Sequence, residues 1–407
     1  MSLHPEPVEV KPLRVWLVDP SLYTGPYDGA LTDGLLQAGV LPRWATRPTR
    51  PGDRQEIPAE YVDAFFYRRV DGLTSWPKPL RSLAKGLAHG WGVAQLVWRV
   101  WRRPPDAVHM QWVVLPLIDA LALWLIKRRC ALVFTAHDTV PFNGLHVSFL
   151  QNLGFDLPLR MADVVVVHTR TGRRRLIERG VEPHKIVVIP HGPLKLHVPP
   201  SSPQATRDPR HTFVLFGELK PYKGIDVLVE AVARLPQATR DRCRFIVAGR
   251  EWMDLTPIRE RIGALGLQSS IDLRAQRQTD QQMADLFHEA DCFVFPYREI
   301  DASGVYFLVK SFGKWIVASR VGIFAEDVAD GIDGRLVAPS SVEELCAALV
   351  EASERKGAPR QSAADDSWRA IGVSTRQAYE RVSRSEPRSS EGRSGGLRRG
   401  VAGDERV

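Results

Sequence analysis

Two short stretches carry the residues best suited to hold a phosphate. Phe216-Gly217-Glu218-Leu219-Lys220-Pro221-Tyr222-Lys223-Gly224 places two lysines and two glycines where a strand runs into a helix. Lysines there can neutralise charge that builds on a diphosphate, and glycines let backbone N–H groups come close to it. The second stretch, Pro296 to Val305, has Ser303 and Gly304 opening an apolar helix that runs toward Gly313. The first turn of a helix leaves N–H groups unpaired and carries partial positive charge. A third stretch, Thr135-Ala136-His137-Asp138 followed by Pro141-Phe142-Asn143, presents a histidine after a strand. Taken singly, each is equally well an ordinary α/β connection, a solvated turn or a packing histidine.

The elements that must position these residues alternate along the chain. Leu13 to Asp19, Asp63 to Tyr67, Ala107 to Met110, Ala131 to Thr135, Asp163 to Val167 and Ile186 to Pro190 read as strands. Thr212 to Gly217, Arg244 to Gly249, Ile271 to Leu273, Cys292 to Phe295 and Trp315 to Ala318 read as a second set, with helices over 224–235 and 257–265. Continuous apolar strands between helices argue for parallel sheets covered on both faces. Pro193 to Arg210, rich in Pro, Ser and charge, separates the two sets as a linker. The expected organisation is α/β, with two doubly wound Rossmann-like domains that hold ligand at the carboxyl ends of their strands. Residues 1–192 form the first domain, 193–210 the linker and 211–364 the second. Residues 365–384 form a last helix packing back toward the first domain, and 385–407 a disordered tail.

At 407 residues the chain suits two domains. Its net charge of +8 favours anionic partners such as nucleotide diphosphates, lipid phosphates or anionic membrane. No nucleic-acid module accompanies the basic residues, so nucleic acid is disfavoured. Cys130, Cys243, Cys292 and Cys346 form no CxxC pair and suit reduced thiols in the cytoplasm. The polar start, Met1 to Pro12, has no secretory signal character. The longest apolar run, Trp112 to Ile126, is broken by Pro116 and Asp119 and falls short of the ~20 residues of a membrane span. Lys78 to Arg103 holds six cations and no acid, with Trp91, Trp98 and Trp101 interleaved. Such a helix either lies at an anionic membrane interface or packs on the sheet with a solvated basic edge.

The order of the motifs is more specific than any one of them. After the lysine loop come Phe245 to Gly249, Ala290 to Arg298, Ser303-Gly304, Gly313 to Ser319, Val321 to Glu326 and Gly331 to Val337. Together they resemble the donor-binding domain of GT-B glycosyltransferases of the family-4 type, the glycosyl transferases group 1, over roughly residues 160–350. Val167-His168-Thr169 and Ile189-Pro190-His191-Gly192 also match that family's pattern. The resemblance implies two domains facing a cleft and a nucleotide-diphosphate sugar as co-substrate. It also implies transfer with retention of anomeric configuration and no obligatory metal or other cofactor. It places Gly217, Gly249, Ser303, Gly304 and Val305 on the donor, with Lys220 and Lys223 stabilising the departing diphosphate. His137, in the family's Thr-x-His loop, would reach the transferred sugar.

Two departures stand out. Many family members have Gly-Arg-Leu at the start of the lysine loop, whereas Glu218 is the middle residue here. Glu218 is expected to point away from a diphosphate, with Lys220 supplying the missing charge. Many also carry two glutamates eight positions apart, where this chain has Ile300 and Leu308. The nearest acids are Glu299 and Asp301, and one of them is expected on sugar or ribose hydroxyls. Gly25 and Tyr27, after the first strand, border the acceptor side of the cleft or simply form a turn. The implied acceptor is a glycan or polyprenyl-linked glycan, handled at the inner face of the cell membrane in surface polysaccharide or glycolipid assembly. An epimerase, a sugar-phosphate synthase and a non-catalytic binding subunit remain alternatives on the same architecture.

Overall fold

The computed structural model describes residues 12–68, 70, 72, 75–139, 154, 156–201, 208–355 and 367–383. The expectations for Met1 to Lys11, for Pro141 to Asn143 and for the tail 385–407 fall outside the described residues, as do 202–207 of the linker.

The first sheet contains β1 Leu13–Asp19, β2 Val40–Thr46, β3 Val62–Ala64, β4 Ala107–Met110, β5 Ala131–Ala136, β6 Val164–Val167 and β7 Ile186–Val188. Their spatial order is β3-β2-β1-β4-β5-β6-β7, every pair parallel. Helices α1 Gly25–Gln37, α2 Lys78–Arg102 and α3 Pro116–Ile126 lie in crossovers of this sheet. Successive residues of a strand face opposite sides. Val15 and Leu17 therefore join Tyr27, Leu31 and Leu35 of α1 in one core. Val18 joins Val93, Leu96 and Val100 of α2 in the other.

The second sheet contains β8 His211–Phe216, β9 Cys243–Ala248, β10 Ile271–Arg274, β11 Cys292–Phe295, β12 Trp315–Ser319 and β13 Gly334–Val337. It is parallel throughout, in the order β10-β9-β8-β11-β12-β13. Phe213 and Leu215 enter one core and Val214 and Phe216 the other. In each sheet the strand order reverses beside the first strand, between β1 and β4 and between β8 and β11. A crevice opens at such a point, and ligands bind there in doubly wound folds.

The last helix, Trp368–Ser383, packs on the first sheet. It crosses α1 where two glycines meet. A Cβ on Gly34 would stand 2.1 Å from the Trp368 carbonyl oxygen, and one on Gly372 2.0 Å from that of Gly34.

Two local expectations need correction. The strand expected over Asp63 to Tyr67 ends at Ala64, and Tyr67 turns with φ 53°. Phe65, Phe66 and Tyr67 are apolar because they pack under α2: a Cβ on Gly92 would strike the Phe66 ring at 2.3 Å. Strand β2 was absent from the sequence reading because Pro42 and Arg43 interrupt its apolar run. Arg43 is nonetheless accommodated at the sheet edge by a two-point pairing with Asp63, at 2.9 and 3.0 Å.

Candidate functional site

At the β8/β11 crevice the lysine loop meets the Pro296 to Ser303 loop. Residues Pro221–Lys223 form one 3-10 turn, which ends at Gly224 with φ 66°. A side chain at Gly224 is excluded, since its Cβ would stand 2.0 Å from the Pro296 carbonyl oxygen. The turn points Lys223 inward. Its Nζ donates to the Tyr297 hydroxyl and to the Phe216 carbonyl oxygen at 3.4 Å, and lies 4.4 Å from the centre of the Tyr297 ring. The side chain is only 3% exposed. Burial, followed by the charge of Lys220, pushes the Lys223 ammonium down to about 7.

Gly217 and Gly249 shape the floor. Gly217 has φ 115°, and a Cβ there would meet Val305 Cγ2 at 2.9 Å and Lys223 Nζ at 3.1 Å. Gly249 has φ 150°, and its Cβ would stand 1.8 Å from the Gly217 carbonyl oxygen. The ends of β8 and β9 thus approach as only glycine allows. Ser303 caps the helix Gly304–Lys310, its hydroxyl accepting from the Tyr306 N–H at 3.4 Å. The space over Gly304 is open, with no heavy atom within 4 Å of where a Cβ would stand. The structure thus brings Gly217, Lys223, Gly249 and Val305 together, with Ser303 and Gly304 opening the adjoining helix.

Two expectations on this side change. Lys220 Nζ lies 2.8 Å from the Glu218 carboxylate, so its charge is already met by the acid expected to point away from the site. Asp301 is buried, and its carboxylate accepts from Arg175, from the Thr139 hydroxyl and from the Thr139 N–H at 2.6 Å. It faces the first domain in place of a sugar or ribose hydroxyl, because a buried carboxylate settles where donors already stand. Glu299 is exposed. Tyr297 was missed as the partner of Lys223. Its place between Pro296 and Arg298 after a buried strand was the available signal.

The β1/β4 crevice is filled by rings. Tyr27 is 5% exposed and does not border the cleft as expected. It packs edge-on against His137 at 4.9 Å and His168 at 5.4 Å, with His191 at 4.9 Å and Trp368 at 5.4 Å. Gly25, at the start of α1, lines a pocket with the loop before it. His137 is half-buried. Its Nε2–H donates to Gln111 Oε1 at 2.9 Å, and its ring stacks on Trp112 at 5.1 Å. Trp112 in turn donates from Nε1 to the Thr24 hydroxyl at 3.0 Å. Burial, and then the neighbouring His168, hold His137 well below the ordinary histidine range, so its imidazole is neutral. Burial likewise lowers His168 to about 4 and His109 to about 3. Gln111 and Trp112 were missed, although both follow a strand at the switch point where such residues belong.

The two halves are tied together. His191 stacks on Phe307 of the second domain with ring centres 3.9 Å apart. Glu326 accepts from the Arg170 and Thr171 N–H groups, both at 2.7 Å, at the start of the helix Arg170–Glu178. A carboxylate at that helix end is favoured by the helix dipole.

Residues 30–192 match the family described as glycosyltransferase family 4, and residues 210–355 the one described as glycosyl transferases group 1. The chain is 28% identical over 253 residues to the D-inositol 3-phosphate glycosyltransferase of Segniliparus rotundus, a stretch covering 57% of this chain and 56% of that protein. The chain spans about half the length of the curated relatives it matches. Among solved structures it resembles Anabaena HepE in complex with UDP and glucose, with TM-score 0.62 and 18% identity over 91% of this chain and 95% of that one. It also resembles the catalytic domain of starch synthase IV from Arabidopsis thaliana bound to ADP and acarbose, with TM-score 0.62 and 13% identity over 91% and 99%. At those identities the likeness shows the fold, which is GT-B. With one family model over each sheet, the chain belongs to the GT-B glycosyltransferases of the family-4 type, the glycosyl transferases group 1.

Proposed function

We propose that the protein transfers a sugar from a nucleotide-diphosphate donor to a glycan or lipid-linked acceptor, with retention of configuration. The observation that carries this reading is the buried Lys223 ammonium, held against Gly217 beside the helix opened by Ser303 and Gly304. The C1–O bond to the diphosphate breaks while the acceptor oxygen bonds to C1 on the same face. The acceptor proton passes to the departing phosphate oxygen. Charge growing on that oxygen meets Lys223 and the first turn of the helix Gly304–Lys310, which are already in place. Val305 packs against the floor, and His137 and Glu299 are the residues assigned to the sugar.

An acceptor at a membrane is supported by the outer face of the first domain. Leu80, Leu83, Leu87, Trp91 and Trp98 of α2 recur at helical spacing and are exposed, Leu87 by 69% and Trp91 by 70%. Leu117, Leu121 and Trp124 of the neighbouring α3 extend the patch, and Arg102 and Arg128 sit over Trp98 and Trp124 at 5.0 and 3.1 Å. An apolar ridge edged by arginines suits an anionic lipid surface. Among the described residues no helix is long and apolar enough to cross a membrane.

Incubation with UDP-, GDP- and ADP-sugars and a cell-derived lipid and glycan mixture tests the reaction. The expected product is an acceptor heavier by one glycosyl unit, with the anomer of the donor. A changed donor or a sugar phosphate with no heavier acceptor would point to the other chemistries. Flotation with anionic vesicles at low salt tests the membrane part, and a protein that stays at the bottom of the gradient removes it.

A further inference from the structure

Asp301 belongs to the donor-side loop, yet its carboxylate is held by the first domain. It accepts from the Thr139 N–H at 2.6 Å, from the Thr139 hydroxyl and from the Arg175 guanidinium. Thr139 stands two residues after His137, and Asp301 two residues before Ser303. We propose that Asp301, Thr139 and Arg175 form an interdomain latch whose closure sets the spacing between the Lys223 crevice and His137; the inference rests on the transfer reading given above. Asp301 is then a positioning residue, which governs transfer without touching donor or acceptor.

Both sides of the latch are fixed by their own domains. On the donor side, the helix Gly322–Asp327 pins the loop from behind: the Ile323 N–H donates to the Asp301 carbonyl oxygen at 2.9 Å. Gly322 has φ 48°, and a Cβ there would stand 2.0 Å from the Ile300 carbonyl oxygen, so only glycine lets that helix come so near. On the first-domain side, a Cβ on Gly172 would meet Thr139 Cγ2 at 3.4 Å, so the Thr139 methyl lies beside the helix Arg170–Glu178 while its hydroxyl turns to Asp301. Thr169 caps that helix, its hydroxyl accepting from the Gly172 N–H at 2.9 Å, and Arg175 projects from the same helix. Glu326, on the helix that pins Asp301, grips the Arg170 and Thr171 N–H groups. Two helices thus meet through two carboxylates, and neither contact can slip without loosening the other.

The energetics suit a contact that opens. Asp301 and Thr139 are buried, and the Arg175 side chain is partly exposed at the edge. Taking a carboxylate and a guanidinium out of water is costly, and their attraction offsets that cost with little surplus. When the halves part, each group regains water. When they stay together, a missing partner leaves a buried group unpaired. The contact therefore selects one spacing without welding the halves. The other tie lies where the linker begins. There His191 stacks on Phe307, and the Leu194 N–H donates to the Phe307 carbonyl oxygen at 3.1 Å. The helix Gly304–Lys310 carries Phe307 and starts three residues after Asp301, so it runs from the latch to this pivot. Its placement against His137 is decided by whether the latch is shut.

The test uses the full chain, first without any ligand. Small-angle X-ray scattering of Asp301→Ala should give a larger radius of gyration than wild type. Amide hydrogen exchange should show the peptide holding Thr139 losing protection in that variant while the strand peptides of both sheets keep theirs. Arg175→Met should move both readouts the same way, and it carries the test if Asp301→Ala fails to fold. In a transfer assay these variants should lower kcat by about 10–100-fold with the donor Kd within about twofold, because the donor crevice stays intact while His137 is misplaced against it. Thr139→Val should add little in the Asp301→Ala background, since both changes break one contact. A merely structural role would lower the melting temperature and leave the turnover of the folded protein unchanged. Folded Asp301→Ala and Arg175→Met variants with the wild-type radius and wild-type exchange at Thr139 overturn the proposal, as does an unchanged kcat in an expanded variant. Expansion of the variants in a protein that transfers sugar to no acceptor would instead count against the proposed function and leave the latch standing.

Discussion

The two sheets place their crevices at equivalent points and fill them in opposite ways. Between β8 and β11 the backbone makes the room: Gly217, Gly224 and Gly249 let loops approach to distances that no side chain permits, and one buried ammonium stands over them. Between β1 and β4 the room is taken by Tyr27, Trp112 and three histidines, and the pocket lined by Gly25 lies outward at the β1/β2 edge. The difference teaches that one topology serves two tasks. A glycine-lined crevice with a cation receives a compact anion. A ring-packed crevice acts as a rigid wall on which a loop can be aimed.

The contrast predicts a sequence of effects. Lys223→Ala should lower transfer by about 10²–10³, the usual result of removing one preorganised charge from a developing anion. The same change should leave the melting temperature equal or higher, because a buried cation is lost. Gly249→Ala forces a Cβ against the Gly217 carbonyl and should cost about 2–4 kcal/mol of stability in urea titration. On the ring-packed side, His137→Ala should reduce turnover by about 10–100-fold with donor affinity retained, the weight of one or two lost hydrogen bonds.

The pH response separates the halves further. In the free protein Lys223 titrates near 7, below its ordinary value of 10.5. Between those values the unfolded chain binds the extra proton, so this group adds stability as pH rises through that window. A diphosphate needs the charged form, so its affinity should fall by up to about tenfold per pH unit above 7. Titration calorimetry in buffers of different ionisation heat should show proton uptake on binding, absent in Lys223→Met. Asp28 works in the other direction. Burial, and then the charge of Asp19, hold its carboxyl well above the ordinary range. Its contribution is present below its unfolded value and is lost as pH rises through the raised one. Asp28→Asn should therefore flatten the loss of stability that sets in as pH rises above the ordinary carboxylate range, measured by thermal melts across pH.

The glycine-lined half was largely legible in the sequence, because strands such as Phe293 to Phe295 are continuous apolar runs and glycines mark where chains meet. Gly217 and Lys223 were singled out from the strand-to-helix loop that holds them, and the structure sets them side by side. The partnership of Lys220 with Glu218 was not, since two charges two residues apart only meet once the loop's shape is known. Asp301 was assigned to the wrong side because its donors, Thr139 and Arg175, are more than a hundred residues distant in the chain. The ring-packed half was harder for the same reason. Tyr27 takes its surroundings from four separate segments, and its own neighbours Pro26 and Asp28 say nothing of them. Strand β2 was hidden by Pro42 and Arg43.

The central claim is that a nucleotide diphosphate binds over Gly217 against Lys223. Thermal shift with UDP, GDP, ADP and their sugar conjugates, on wild type and Lys223→Ala at pH 6.5, tests it most directly. The account predicts that at least one of these raises the wild-type melting temperature and that Lys223→Ala loses most of the shift. A wild type that responds to none of them, or a shift that survives Lys223→Ala intact, would contradict it.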